Sequence, residues 1–314
     1  MNLTEENEPN LVRKSSVFAS LLILSGFVLA GMFVGQFFAF LGLFPLFDYS
    51  FEAIQVALTN PIGSPKAKAA LLILQAATSI FAFILAPLLH HRLVDRHRPS
   101  PLTTQYETSV VVLGLVFLLM VAFMFANSIV IEWNMNLDFG QLSPAFEEWA
   151  RGKEEELKEL TEYLTRFSSV GGLLVGLVVI AVLPAIGEEL VFRGVVQPKL
   201  HQLVGNPHLA IWLAAFLFSA IHLQFYGFFP RLLLGALFGY LFYWSGNLWY
   251  AIFAHFVNNG FTLVMLYLYQ QDVTDLDMEA TEAVDWPVAL VATLAGGFLL
   301  YQFWQMTKTK QPYG

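Results

Sequence analysis

Residues 16–44 contain no ionisable side chain at all. In lipid such a run is a helix, because a span needs roughly 20 apolar residues and must satisfy its own backbone hydrogen bonds. Seven further runs are predominantly apolar: 67–89, 109–131, 168–186, 208–224, 231–245, 248–270 and 287–305. They predict an all-α polytopic membrane bundle of about eight transmembrane helices. The fourth, fifth and sixth runs are short or polar-flanked, and 187–203 reads as helical but only partly apolar. Composition agrees: 13% of residues are charged, against about 25% in soluble domains. The thirty Phe, seven Trp and eleven Tyr suit lipid-facing and interfacial positions.

Glu5, Glu6 and Glu8 precede the first run, which is much longer than a signal-peptide core of ~7–15 residues. It reads as a retained span. The basic segment 90–101, with Arg92, Arg96 and Arg98, places that loop in the cytoplasm. Arg13, Lys14, Lys308 and Lys310 then put both termini on the same side. The net charge of −8 gives no basis for a nucleic-acid partner, and most of it falls in two outer segments, 147–160 and 270–285. Ser143 before Pro144 marks a helix start, and Leu157, Leu160, Leu164 and Phe167 recur at helical spacing. An amphipathic surface helix leading into the fourth span is expected, with a plain solvated helix as the other form. The organisation expected is 1–167 for three spans plus this outer helix, 168–270 for a catalytic core, and 271–314 for an acidic loop and last span.

An ionised group at a membrane helix centre costs ~2.5–3.5 kcal/mol, so such groups usually face a cavity and serve a function. Here they concentrate between 184 and 260, while the first three spans carry almost none. Glu189 and Arg193 are i and i+4, about 40° apart around a helix, and can pair. Glu188 lies about 140° from Arg193 and points elsewhere, free for chemistry. Phe218 precedes His222 by one turn, and His255 and Asn259 share a helix face. Each piece alone has a plain structural reading: a charged span end, an interfacial histidine, or a polar pair bonding neighbouring helices.

Together, E-E-x-x-x-R, F-x-x-x-H and H-x-x-x-N resemble the CPBP family of intramembrane proteases, which includes type II CAAX prenyl endopeptidases and bacterial proteins linked to bacteriocin processing and immunity. The residues that match are Glu188, Glu189 and Arg193, Phe218 and His222, and His255 and Asn259, within roughly 168–270. The resemblance implies that Glu188 activates water as general base with His222 assisting. It also implies that His255 and Asn259 donate to the oxyanion, as an imidazole N–H and an amide NH2 are able to do. Glu189, Arg193 and Phe218 would then support the site. Pro184 and Gly187 are expected to loosen the helix there and admit water.

No cofactor is expected. The two histidines and one glutamate would suit zinc with an open position, but no H-E-x-x-H helix is present, and the resemblance favours a metal-free mechanism. The absence of cysteine excludes disulfides, thiol nucleophiles and Cys-bound zinc. The expected partners are the bilayer and a membrane-associated peptide or protein substrate, possibly lipidated, in a bacterial inner membrane. Two other classes stay open: a non-catalytic immunity or scaffold protein, and a proton-coupled transporter, which would predict inverted repeats that the sequence lacks. Gly235 and Gly239 read as a packing motif, and Arg231 as an interfacial anchor with a lesser role toward substrate. His90, His91, His97, His201 and His208 read as loop residues, and Tyr226, Trp244, Trp249 and Tyr250 as interfacial belt residues.

Overall fold

The computed structural model describes residues 8–61, 64, 66–96, 102, 107–141, 143–275 and 282–308, with side chains from residue 16 onward. Among the described residues there are ten helices and no strand: α1 Glu8–Leu46, α2 Phe51–Thr59, α3 Ala67–Leu93, α4 Val110–Met135, α5 Pro144–Thr165, α6 Val170–Val204, α7 Pro207–Ala220, α8 Phe228–Ser245, α9 Leu248–Gln270 and α10 Trp286–Thr307. Six of them, α1, α3, α4, α6, α9 and α10, are long and apolar enough to cross a membrane. The other two of the eight expected runs also fold as helices but are shorter or less apolar. The runs 208–224 and 231–245 fold as α7 and α8, and α7 has only 14 residues, about 21 Å against a hydrocarbon core of ~30 Å. α8 is diluted by Pro230, Arg231 and two tyrosines. The partly apolar stretch 187–203 is the second half of α6 and sits inside the bundle.

Three stretches widen to π-helix: Ser79–Leu85, Leu177–Val182 and Phe192–Val196. Each is followed two residues later by a proline, Pro87, Pro184 or Pro198. Proline offers no N–H to the carbonyl four residues back and crowds it, and a looser turn relieves that contact.

Small residues bring these helices together. A Cβ on Gly31 would lie 2.5 Å from the Phe81 carbonyl oxygen, and one on Gly35 2.9 Å from that of Ala77, so α1 rests directly on α3. Gly187 fits against Phe83 in the same way, where a Cβ would meet the Phe83 Cβ at 2.7 Å. Its role is close packing of α6 on α3 rather than the loosening expected. Gly235 abuts Ala215 and Phe218, and Gly239 abuts Ile211 and Gln197, which seats α7 and α6 against α8. Val116, Met120, Phe238, Leu241, Ala254 and Phe303 form the largest apolar cluster, between α4, α8, α9 and α10.

At one end of the bundle a polar clasp joins α1, α3 and α6. The His90 Nε2 lies 3.0 Å from both the hydroxyl and the carbonyl of Ser20, and Lys199 Nζ donates to Asp95 Oδ1 at 2.6 Å. The histidines expected in loops are on helices: His90 and His91 on α3, His201 on α6 and His208 in the first turn of α7. His97 lies outside the described residues.

At the other end α5 lies over the α7–α8 loop. The Ser143 hydroxyl caps it, accepting from Phe146 N at 3.3 Å. Glu147 Oε2 accepts from the Tyr226 hydroxyl at 2.7 Å and from Phe139 N at 2.9 Å, while Arg151 bonds Glu147 and stacks 4.5 Å above the Tyr226 ring. The Tyr226 bond holds the Glu147 carboxyl below its ordinary range, and burial pushes the Tyr226 hydroxyl up to about 12. Tyr226 and Tyr250 are therefore buried anchors rather than belt residues. Tyr250 accepts from Ser109 N at 2.9 Å.

Candidate active site

The middle of α6 carries the first group. Glu189 and Arg193 lie one turn apart and both side chains are fully buried, with Arg193 Nη1 donating to Glu189 Oε1 at 2.7 Å. The guanidinium also donates through Nη2 to the Gly235 carbonyl at 2.5 Å. One turn on, Gln197 Nε2 reaches the Gly239 carbonyl at 3.2 Å. The two glycines of α8 thus expose backbone to two long polar side chains of α6. The rings of Phe218 and Phe238 lie 5.0 and 5.5 Å from Arg193 Cζ and surround the cation with π faces.

The Glu189 oxygen that takes Arg193 also holds His255 of α9, whose Nδ1 lies 3.0 Å away. A carboxylate accepts, so Nδ1 carries the proton and Nε2 is left facing the next glutamate. That Nε2 is 4.0 Å from Glu188 Oε2. The imidazole stacks on Phe238 at 5.0 Å and meets the edge of Phe218 at 5.9 Å.

Glu188 points away from Arg193, as the helix angle requires. Its side chain is 18% exposed, and its Oε2 is buried without a hydrogen-bond partner. A cavity of about 290 Å³ reaches it, walled by Gln36 of α1, by Gln75, Thr78 and Ser79 of α3, and by Pro184. Gln36 Nε2 donates to the Thr78 hydroxyl at 2.6 Å. The first spans, almost without ionisable groups, nonetheless supply an uncharged polar wall beside Glu188 from α1 and α3. The signal was present in the spacing of Gln75, Thr78 and Ser79, which share one helix face.

His222 lies beyond the end of α7, in the turn toward α8. Its Nδ1 donates to the Phe218 carbonyl at 2.8 Å, which leaves Nε2 as the acceptor. Leu223 follows with φ 54°, a left-handed backbone that costs a leucine energy and is tolerated where the surroundings enforce it. Asn134 of α4 supplies that enforcement, donating to the Phe225 carbonyl at 3.0 Å and accepting from Phe229 N at 2.9 Å.

Asn259 does not stack with His255 on a common partner. Its Nδ2 lies 3.4 Å from the Ile180 carbonyl, and its Oδ1 accepts from Asn258 at 3.0 Å. Ile180 is four residues before Pro184, so its carbonyl is the one that proline leaves without the usual N–H. Among the described residues, no three of His, Cys, Asp and Glu are grouped so as to hold a metal ion.

A buried Glu–Arg–His cluster lies at the core of a helical bundle in which six helices are long and apolar enough to cross a membrane, the make-up of an integral membrane protein. Residues 170–261 match the family model described as type II CAAX prenyl endopeptidase Rce1-like, and over those residues the chain carries a domain of that family. The chain is also similar to an uncharacterized protein, YpbD, of Bacillus subtilis (strain 168), at 29% identity over 85 residues. That stretch covers 26% of this chain and only 40% of the relative's length. No solved structure matches the chain.

Proposed function

We propose that the protein is an intramembrane endopeptidase that hydrolyses a peptide bond of a membrane-associated or lipidated substrate. The observation that carries this reading is the division of labour between adjacent carboxylates. Glu189 is consumed by Arg193 and His255, whereas Glu188 lines a polar cavity and has a buried oxygen, 4.0 Å from His255 Nε2, without a hydrogen-bond partner. In the proposed reaction Glu188 takes a proton from a water in that cavity. The resulting hydroxide attacks the scissile carbonyl, and the proton passes to the leaving amine. The His222 Nε2 lone pair is suited to help the proton along. Asn259 Nδ2, on its long bond to Ile180, is the amide donor offered to the oxyanion. His255 offers a second donor only as imidazolium, since its Nδ1 proton is already given to Glu189.

In this reading α7 and α8 complete an eight-helix membrane bundle. The short α7 would bring His222 to a depth inside the bilayer, and both termini would be cytoplasmic. The test is cleavage of membrane-protein fragments and prenylated C-terminal peptides by purified protein. Activity should be lost in Glu188→Gln and should survive a chelator. Equal cleavage by wild type and Glu188→Gln would sink the assignment.

A further inference from the structure

A second cavity, of about 490 Å³, lies beneath α5 and is not used by this chemistry. Its walls include Glu154 and Lys158 of α5, Gln224 and Gly227 of the α7–α8 loop, Arg231 of α8 and Asn258 of α9. Arg231 interacts electrostatically with Glu154, Glu188 and His222. Its Nη2 donates to Gln224 Oε1 at 2.5 Å, while its Nη1 is buried without a hydrogen-bond partner. A Cβ on Gly227 would sit 3.2 Å from Nη2 and 3.5 Å from Nη1, so the glycine leaves room around the guanidinium.

We propose that this cavity is a subsite for a carboxylate of a bound peptide, with the open arm of Arg231 as its receptor. A buried cationic donor without an acceptor is costly, and a ligand carboxylate offsets that cost with a charge-assisted bond. Glu154 does not fill the role. It forms no ion pair with Arg231, its Oε2 is itself without a partner, and burial raises its pKa toward the neutral form. The wall also carries Glu162 and Glu282, which oppose a multiply charged phosphate but leave one guanidinium matched to one carboxylate. Asn258 lies on this wall and donates to Asn259 at 3.0 Å, so a ligand anchored here adjoins the proposed reaction centre. Only the choice of a peptide as ligand rests on the hydrolase reading.

The experiment measures binding of four dansyl-labelled apolar pentapeptides to full-length Glu188→Gln protein in detergent. One pair ends in a free acid or an amide, and a second, amidated pair carries an internal Asp or Asn. The expected result is tighter binding, by about tenfold or more, of the acid member of at least one pair, and which pair responds identifies the source of the carboxylate. Adding Arg231→Gln should abolish the preference, and Arg231→Lys should keep part of it. Gly227→Ala is a second variant that retains the charge. Its backbone φ of −113° suits any residue, so it acts through crowding alone and should weaken the preference several-fold.

Equal binding of both pairs, no binding of any probe, or a preference that survives Arg231→Gln overturns the proposal. Binding of phosphatidylglycerol that depends on Arg231, without a peptide preference, also overturns it, by assigning the cavity to lipid. A peptide preference in a protein that cleaves nothing would keep the subsite and sink the hydrolase. Cleavage without a preference would do the reverse.

Discussion

Glu189→Leu tests the central cluster most directly. The substitution removes the partner of Arg193 at 2.7 Å and the acceptor of His255 Nδ1 at 3.0 Å. The guanidinium is fully buried, so it cannot turn to water, and the Gly235 carbonyl and the flanking rings do not neutralise it. Breaking a buried pair by removing one member costs about 3–5 kcal/mol, a large part of a total stability of ~5–15 kcal/mol. The double variant Glu189→Leu/Arg193→Met removes both charges of the pair and loses the bonds to His255 and to the Gly235 carbonyl, each at about 1–3 kcal/mol. It should therefore be more stable than Glu189→Leu alone. Equilibrium unfolding of the purified protein in mixed micelles, followed by tryptophan fluorescence, measures both. A single-variant loss below about 1 kcal/mol, or a double variant less stable than the single one, would refute the reasoning.

Three further outcomes are expected. Glu188→Gln should leave unfolding nearly unchanged, because no structural bond is lost, while abolishing cleavage; zinc-restorable sensitivity to a chelator would instead point to a metal. Gly31→Ala should destabilise by about 1–3 kcal/mol, since its Cβ would meet α3 backbone, whereas Gly26→Ala on the same helix meets nothing within 4 Å and should be neutral or stabilising. The Glu147 carboxyl is held below its ordinary value, so its support of α5 is present at neutral pH and is lost as pH falls through the folded value. Tyr226 has the opposite sign: its neutral form is favoured up to about 12, and stability declines as pH rises from ~10 toward that value. Proteolysis of α5 across pH should show the acid limb in wild type and lose the Tyr226-dependent part of it in Tyr226→Phe.

Sequence spacing was enough to separate Glu188 from Glu189, because the angle between neighbours on a helix is fixed. It also located the start of α5 at Ser143–Pro144, where cap chemistry is local. It did not reveal that His255 binds Glu189, because that bond depends on how α9 packs against α6. Nor did it reveal that Asn259 bonds the Ile180 carbonyl, a partner left open by a proline on another helix. Six of the eight runs are long and apolar enough to cross a membrane, and hydropathy, which measures composition and not depth, does not place the other two. α7 is apolar but short, while the polar half of α6 continues inward because Arg193 and Gln197 find carbonyls on α8. Gln36 escaped notice since a lone amide in an apolar run has no partner within its own span.

The clasp of Ser20, His90, Asp95 and Lys199 bears on how this protein can be taken apart. It fastens the matched region to helices that carry none of the three motifs. A chimera that transplants 170–261 alone would carry every motif and still leave Lys199 without Asp95, Gly187 without Phe83 and Glu188 without its polar wall. The transferable unit is therefore a discontinuous one, α1, α3 and α4 together with α6 to α9, and recombination within the sequence has to respect that seam.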